Sequence, residues 1–195
     1  RKAKGMTPEQ AKETLLGDYM YYACMLVHKG LADGIVSGAC HSTANTMRPA
    51  LQIIKTAPDA KLVSTFFLMV VPNCEYGHNG TFAFGDCGLE QNPDPEKLAA
   101  IAASTSKSFE TLTGEKAITA MLSHSTMGSA AHEHVDKVVE AVRIAKEQYP
   151  EYTIDGELQL DAAIVPSVAS SKAPTSPVAG KANVLIFPDL DAGNI

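Results

Sequence analysis

The chain has 195 residues, enough for one large domain or two small ones, and its formal net charge at pH 7 is −6. This charge and the lack of a basic cluster argue against a nucleic-acid partner, and the longest apolar run, residues 66–71, is too short to cross a membrane. The four cysteines show no Cys-x-x-Cys spacing, so we expect reduced thiols in a cytoplasmic protein rather than a zinc site or a disulfide framework.

The first predicted helix begins at residues 7–10, where Thr is the cap, Pro takes the first helical position and Gln follows three residues after the Thr. One apolar face continues this helix towards a stop at Gly30 through Leu16, Met20, Ala23 and Val27. A short strand is predicted at residues 34–36. The helix after it passes through residues 51–54, and Pro49 either begins or kinks that helix.

The middle of the chain predicts a hairpin, a helix and a strand. Residues 62–71 are rich in β-branched and aromatic side chains, which is typical of a buried strand. Asn79-Gly80 then predicts a turn into a returning strand, Phe82–Phe84. Asp94-Pro95 is a helix start, and residues 117–122 form the next predicted strand.

The last third of the chain contains a polar turn, a charged helix at about residues 135–147, a helical segment at residues 158–165 and a final core strand at residues 183–188. Paired carboxylates for acid/base chemistry could come from Asp155, Glu157 and Asp161. Helix capping and surface solvation explain these three residues more simply. Strands that alternate with helices predict an α/β fold with a mostly parallel sheet, and the hairpin near Cys74 adds an antiparallel element.

Two turns rich in hydroxyl groups follow predicted strands, at the sheet edge where ligands bind in folds of this kind. In the first, Ser37 to Arg48, small residues would let the backbone approach an anion and the arginine offers paired donors. The second turn is Ser123 to Ser129. Helix capping is the simpler explanation for any single Ser or Thr. The accumulation of Ser42, Thr43, Thr46 and Arg48 nevertheless favours a small ligand that contains phosphate.

Two weaker motifs are rejected. Gly180-Lys181 resembles half of a P-loop, but position 175 is Thr rather than Gly and position 182 is Ala rather than Ser or Thr. His132 and His134 are two residues apart, which is wrong for one face of a helix, so no metal site is expected.

The chain resembles the phosphate acetyltransferase family in stretches that cover nearly its whole length, namely "DGIVSGACHSTANTMRPALQIIKT", "VPNCEYGHNGTFAFGDC", "AMLSHSTMGSA", "IDGELQLDAAIVP" and "KAPTSPVAGKANVLIFPDLDAGNI". The resemblance implies reversible transfer of an acetyl group between acetyl phosphate and coenzyme A, giving acetyl-CoA and phosphate by direct thiolate attack in a ternary complex. It also implies a homodimer and a three-layer α/β/α fold of the isocitrate/isopropylmalate dehydrogenase-like type. Coenzyme A would be a substrate, and no bound cofactor or metal is expected.

The resemblance also assigns roles to individual residues. Arg48 matches an active-site arginine, and Cys74 matches a cysteine near the active site, although a buried thiol is the simpler interpretation. Met127 stands where a lysine is common in the family. Together with the two hydroxyl-rich turns, the resemblance predicts that substrate is bound by Arg1, Ser37, Gly38, Ser42, Thr43, Ser125, Thr126, Gly128 and Ser129.

The two ends of the chain indicate a fragment, since the first residue is not Met and the last residues directly follow a predicted strand. The resemblance implies a partial strip of a first domain at residues 1–59 and a nearly complete second domain at residues 60–195. It places a further catalytic Ser, Arg and Asp beyond Ile195. We therefore expect the chain alone to have little or no transferase activity.

Two other functions remain open at this stage. One is an acetyl-CoA-sensing regulatory domain of the kind that bacterial malic enzymes carry, and the other is a phosphate butyryltransferase. The presence of Arg48, Ser42, Thr43 and Cys74 favours an enzyme over a sensor. Acyl-chain preference depends on pocket volume, which the sequence does not give.

Overall fold

The computed structural model of the chain describes residues 1–58 and 60–195. They form two compact units, Arg1–Ala60 and Lys61–Ile195, called unit 1 and unit 2 below. Asp59, the last residue of the predicted first-domain strip, lies outside the described residues, and that domain division stays a prediction. Within the described part of the chain, no helix combines the length and the apolar character that a membrane span requires.

Unit 1 is helical. After a short 3-10 helix at Lys2–Lys4 come α1 (Pro8–Gly17), α2 (Tyr19–His28) and α3 (Thr43–Ile53). Thr7 caps α1 as predicted, because its hydroxyl accepts the N–H of Gln10 while the Gln10 side chain accepts the N–H of Thr7.

Two predictions for unit 1 were wrong. The single helix expected to run to Gly30 is two helices, because Asp18 has an extended backbone (φ −136°) and its carboxylate accepts the N–H groups of Met20 and Tyr21. Residues 34–36 form neither a strand nor a helix. Pro49 does not begin α3, which starts six residues earlier; it lies inside this helix.

Unit 2 is built on a five-stranded sheet in the order β1-β2-β5-β3-β4. The strands are β1 (Phe66–Val70), β2 (Thr81–Gly85), β3 (Ile118–Leu122), β4 (Thr153–Leu158) and β5 (Val184–Ile186). β1 and β2 are antiparallel, whereas every other neighbouring pair is parallel. The predicted α/β class, with a mostly parallel sheet and one antiparallel hairpin, is therefore confirmed.

Helices cover both faces of this sheet. The remaining elements are α4 (Pro95–Thr113), α5 (Glu133–Gln148), α6 (Leu160–Ile164), α7 (Pro166–Lys172) and α8 (Leu190–Asn194). Met121 packs with residues of α4 and α5, and its neighbours Ala120 and Leu122 pack with residues of α6 and α7. Successive side chains of a strand point to opposite faces, so the sheet separates two hydrophobic cores.

The structure corrects two further predictions. The first hairpin strand is not buried: β1 is an edge strand, and Leu68 and Val70 are 45% and 66% exposed. The second correction concerns β4, which the sequence analysis did not find. Asp155 and Glu157 lie in it and are buried, so surface solvation was the wrong explanation for both and holds only for Asp161.

Candidate functional site

Two hydroxyl groups of the first turn, those of Ser42 and Thr46, bond at the start of α3. The Ser42 hydroxyl accepts the N–H of Asn45 at 3.3 Å, and its carbonyl accepts both the N–H and the hydroxyl of Thr46. The capping interpretation of Ser42 is therefore confirmed. The Thr46 hydroxyl is likewise bonded within its own helix.

The same turn still offers donors for an anion. Thr43 and Ala44 occupy the first two helical positions, where backbone N–H groups have no acceptor within the helix. Gly38 has φ 118°, a conformation open mainly to glycine. Because glycine has no side chain, nothing of this residue covers the backbone before the helix. Arg48 lies on α3 and is exposed, and the ion pairs seen in residues 1–58 and 60–195 do not involve it.

Arg1 belongs to a different feature of unit 1, a cavity of about 340 Å³. Basic groups of Arg1, His28 and Lys55 line it together with Met6, Ala11, Thr14, Leu15, Tyr21, Met25, Gln52 and Ile53. Arg48 does not line this cavity. The structure therefore places the two predicted arginines on separate features of unit 1.

In the second turn, Ser123 to Ser129, a buried carboxylate accepts hydrogen bonds from two residues of the turn. Ser125 and Thr126 are 0% and 4% exposed. The Ser125 hydroxyl and the Gly128 N–H both donate to the same oxygen, Oε1 of Glu157, at 2.7 Å each. Ser129 Oγ accepts the Thr126 N–H, so Glu157 and the turn itself use donors that the sequence analysis assigned to substrate.

A cavity of about 320 Å³ lies beside this turn, at the carboxyl ends of β3 and β5. Its lining is mostly apolar, with two imidazoles, a hydroxyl and one carboxylate: Leu122, Ser123, His124, His134, Leu160, Phe187, Pro188, Asp189 and Ala192. The sequence analysis placed a ligand at this sheet edge but did not name Phe187 or Asp189, and it considered His134 only as a rejected metal ligand. Their position directly after a strand or at the first turn of α5 was the signal that could have identified them.

Lys137 fixes one wall of this cavity. Its ammonium group donates to the backbone carbonyl of Pro188 and to the side-chain oxygen of Asn92, at 2.8 Å each. Burial lowers the pKa of Lys137, and the nearby Asp189 carboxylate opposes this shift. The loop after β5 is thereby held against α5.

Three histidines lie close together near the cavity. The rings of His124 and His132 are 6.2 Å apart between centroids, and those of His132 and His134 are 4.7 Å apart. Among the residues that the structure describes, no group of three or more His, Cys, Asp or Glu side chains is arranged to hold a metal ion.

Cys74 is a free, partly buried thiol that packs against the second core together with Tyr76. Tyr76 also lines a cavity of about 390 Å³ with Glu75, Gly77, Ile164, Val165, Pro166, Ser167, Gly180 and Lys181. Cys74 is therefore neither fully buried nor part of the cavity at the ends of β3 and β5. Its assignment near an active site stays a prediction.

The chain matches the family described as phosphate acetyl/butaryl transferase over residues 1–195. It is 66% identical over its whole length to the phosphate acetyltransferase of Acetivibrio thermocellus and 60% identical to that of Thermoanaerobacterium thermosaccharolyticum. It spans 58% and 59% of the length of these two relatives. A phosphotransacetylase crystal structure from Streptococcus pyogenes superposes with a TM-score of 0.84 at 46% identity, covering 98% of this chain and 57% of that one.

Proposed function

Since this chain belongs to the phosphate acetyl/butaryl transferase family, we propose that it forms part of a phosphate acetyltransferase. The enzyme would transfer an acetyl group reversibly between acetyl phosphate and coenzyme A, giving acetyl-CoA and phosphate. The observation that carries this proposal is the 66% identity, over every residue of the chain, to a protein named phosphate acetyltransferase. Because the chain spans 58% of that relative, the proposal concerns a protein of the relatives' full length that contains it.

The proposed chemistry requires donors for two groups. The phosphate of acetyl phosphate is an anion that leaves as the coenzyme A thiolate attacks the carbonyl carbon, and negative charge builds on the carbonyl oxygen during the attack. The N–H groups at the start of α3 and the exposed guanidinium of Arg48 are suited to the phosphate. We assign the contact with acetyl phosphate to Arg48, Ser37, Gly38, Ser42 and Thr43, with Ser42 also capping the helix.

The remaining site residues are proposed in the same way. Arg1 would add a cation on unit 1, and Cys74 would lie near the reacting groups. In unit 2, Ser125, Thr126, Gly128 and Ser129 would contact substrate only after the Ser123–Ser129 turn exchanges its bonds to Glu157 for bonds to the ligand. Coenzyme A enters as a substrate, so the proposal needs no resident cofactor or metal. We also propose that the protein is cytoplasmic and forms a homodimer; light scattering of the purified protein can test the dimer.

Arg48→Ala tests the function in a protein of the relatives' full length. A hydrogen bond to a charged group contributes about 1.5–3 kcal/mol, so we expect kcat/KM for acetyl phosphate to fall roughly ten- to hundred-fold. The measurement is the rate of acetyl-CoA formation at varied acetyl phosphate concentration.

Arg143→Ala is the matched control. Arg143 is also an exposed arginine on a helix, but its guanidinium pairs with Glu140 and Glu147 on the surface of α5. The control should react like the parent protein. An Arg48→Ala protein with unchanged kinetics would remove Arg48 from the site, and a parent protein without acetyl transfer would contradict the proposed function itself.

A further inference from the structure

Unit 1 contains a cluster of three reactive side chains that the proposed transferase chemistry does not use. Tyr19 begins α2, and Cys40 and His41 lie in the loop before α3. The Tyr19 hydroxyl is 3.2 Å from the Cys40 sulfur, and Nδ1 of His41 is 3.6 Å from the same sulfur. A thiol is therefore held between a phenol and an imidazole.

Each neighbour of the thiol can take a role in its chemistry. Either atom of the Tyr19–Cys40 hydrogen bond can be the donor. This bond raises the pKa of Tyr19, so the phenol is protonated near neutral pH and can donate to the sulfur. In the tautomer that carries its proton on Nε2, Nδ1 of His41 can accept the thiol proton of Cys40. The Tyr19 ring meets the His41 ring edge-on at 5.0 Å, a contact that orients the imidazole.

Cys40 also differs from the other cysteines in its access to solvent. It is exposed, whereas Cys24 and Cys87 are buried and Cys74 is partly buried. Burial raises the pKa of both Cys24 and Cys87, which keeps these two thiols protonated and unreactive. An accessible sulfur beside a base is the arrangement that activates a cysteine nucleophile.

We propose that Cys40 is a modification site: a nucleophilic thiol, deprotonated by His41, that forms mixed disulfides with small-molecule disulfides. The thiol proton passes to Nδ1 of His41, and the sulfur attacks one sulfur of the disulfide. The disulfide bond breaks as the new sulfur–sulfur bond to Cys40 forms. The departing thiolate takes the proton from His41, so one thiol is released for each disulfide consumed. The exchange itself uses no group of the proposed acetyl transfer, although Cys40 lies in the same turn as Gly38 and Ser42.

The experiment treats the full-length protein with a limiting amount of 5,5′-dithiobis(2-nitrobenzoate) and follows each cysteine by peptide mass spectrometry. Cys40 should be modified first, about tenfold faster than Cys74, because rates of disulfide exchange follow access and thiolate character. The other three cysteines serve as internal standards of exposure. Equal rates at Cys40 and Cys74 would overturn the proposal.

Two variants test the assigned roles without removing the thiol. His41→Phe keeps a ring against Tyr19 but has no Nδ1, and Tyr19→Phe keeps the ring but lacks the hydroxyl. Each should slow the modification of Cys40 severalfold while the rate at Cys74 stays unchanged. If Cys40 reacts at the parent rate in both variants, exposure alone explains its reactivity and the proposed nucleophile is wrong.

Discussion

Replacing Glu157 by alanine tests whether the buried carboxylate holds the Ser123–Ser129 turn. Glu157 is 3% exposed, and one of its oxygens accepts both the Ser125 hydroxyl and the Gly128 N–H at 2.7 Å. Within the turn, Met127 and Gly128 have positive φ angles of 47° and 83°. A non-glycine residue in that conformation is strained, so the turn depends on bonds such as these for its shape.

The size of the effect follows from the two donors that lose their acceptor. A buried donor left without a partner costs about 1–3 kcal/mol, so two such donors would cost about 2–6 kcal/mol. Removing a buried carboxylate returns part of this loss, because its desolvation no longer opposes folding. We therefore expect Glu157→Ala to lower the free energy of unfolding by about 2–4 kcal/mol.

Urea denaturation measures the global loss, and hydrogen exchange of the peptide that spans residues 123–130 measures the local one. Glu157→Gln is the matched control, because its amide oxygen can still accept hydrogen bonds from the turn; it should cost about 1 kcal/mol. Faster exchange confined to this peptide in Glu157→Ala would support the assignment. A loss below about 0.5 kcal/mol with the peptide still protected would show that the turn keeps its shape without the carboxylate.

Two other predictions concern unit 2, and the second of them has an exposed ion pair as its control. Burial raises the pKa of the Cys87 thiol from 9.0 to about 11, so its contribution to stability is complete below pH 9 and is lost as the pH rises towards 11. Urea midpoints measured below pH 9 and near pH 11 should therefore differ less in Cys87→Ala than in the parent. Lys146→Met leaves the Asp155 carboxylate, 6% exposed, with the Ser176 hydroxyl but without its cation, and should cost about 1–3 kcal/mol of unfolding free energy. Lys172→Met breaks the exposed pair with Asp161 and should cost less than about 1 kcal/mol in the same urea titration.

Helix starts could be predicted because their signals are local. The Thr7 capping box, the Asp94 cap with Pro95 after it, and the hairpin turn at Asn79-Gly80 all depend on residues within a few positions of one another. The Asp18 cap was also local, but it was missed because the apolar spacing on both sides of it fits one continuous helix. The capping carboxylate that ends α1 and starts α2 outweighed this spacing.

The burial of a strand depends on which elements pack against it in the fold, and the local sequence does not determine those elements. Residues 66–70 are apolar throughout and resemble a central strand, yet β1 lies at the edge of the sheet. The sequence of β4, Thr153–Leu158, carries two acids and a glycine and does not resemble a strand, yet most of it is buried. Its carboxylates are tolerated there because Lys146 and Ser176 bond to Asp155, and Ser125 and Gly128 bond to Glu157.

The same limit applies to the candidate site. A turn of small and hydroxyl-bearing residues predicts a set of hydrogen-bond donors, but it does not predict which acceptor they meet. At Ser42 the hydroxyl and the carbonyl are themselves acceptors, and the donors they meet belong to the next turn of the same helix, which is the local case. At Ser125 the acceptor is a carboxylate 32 positions later in the chain, brought there because β3 and β4 are parallel neighbours. Donor-rich turns of equal appearance therefore differ in how open they are to a ligand, and for the turn after β3 it is the pairing of β3 with β4 that supplies the acceptor. Of the two hydroxyl-rich turns, the one at the start of α3 leaves backbone N–H groups open, so the proposed phosphate contact depends on this turn and on Arg48.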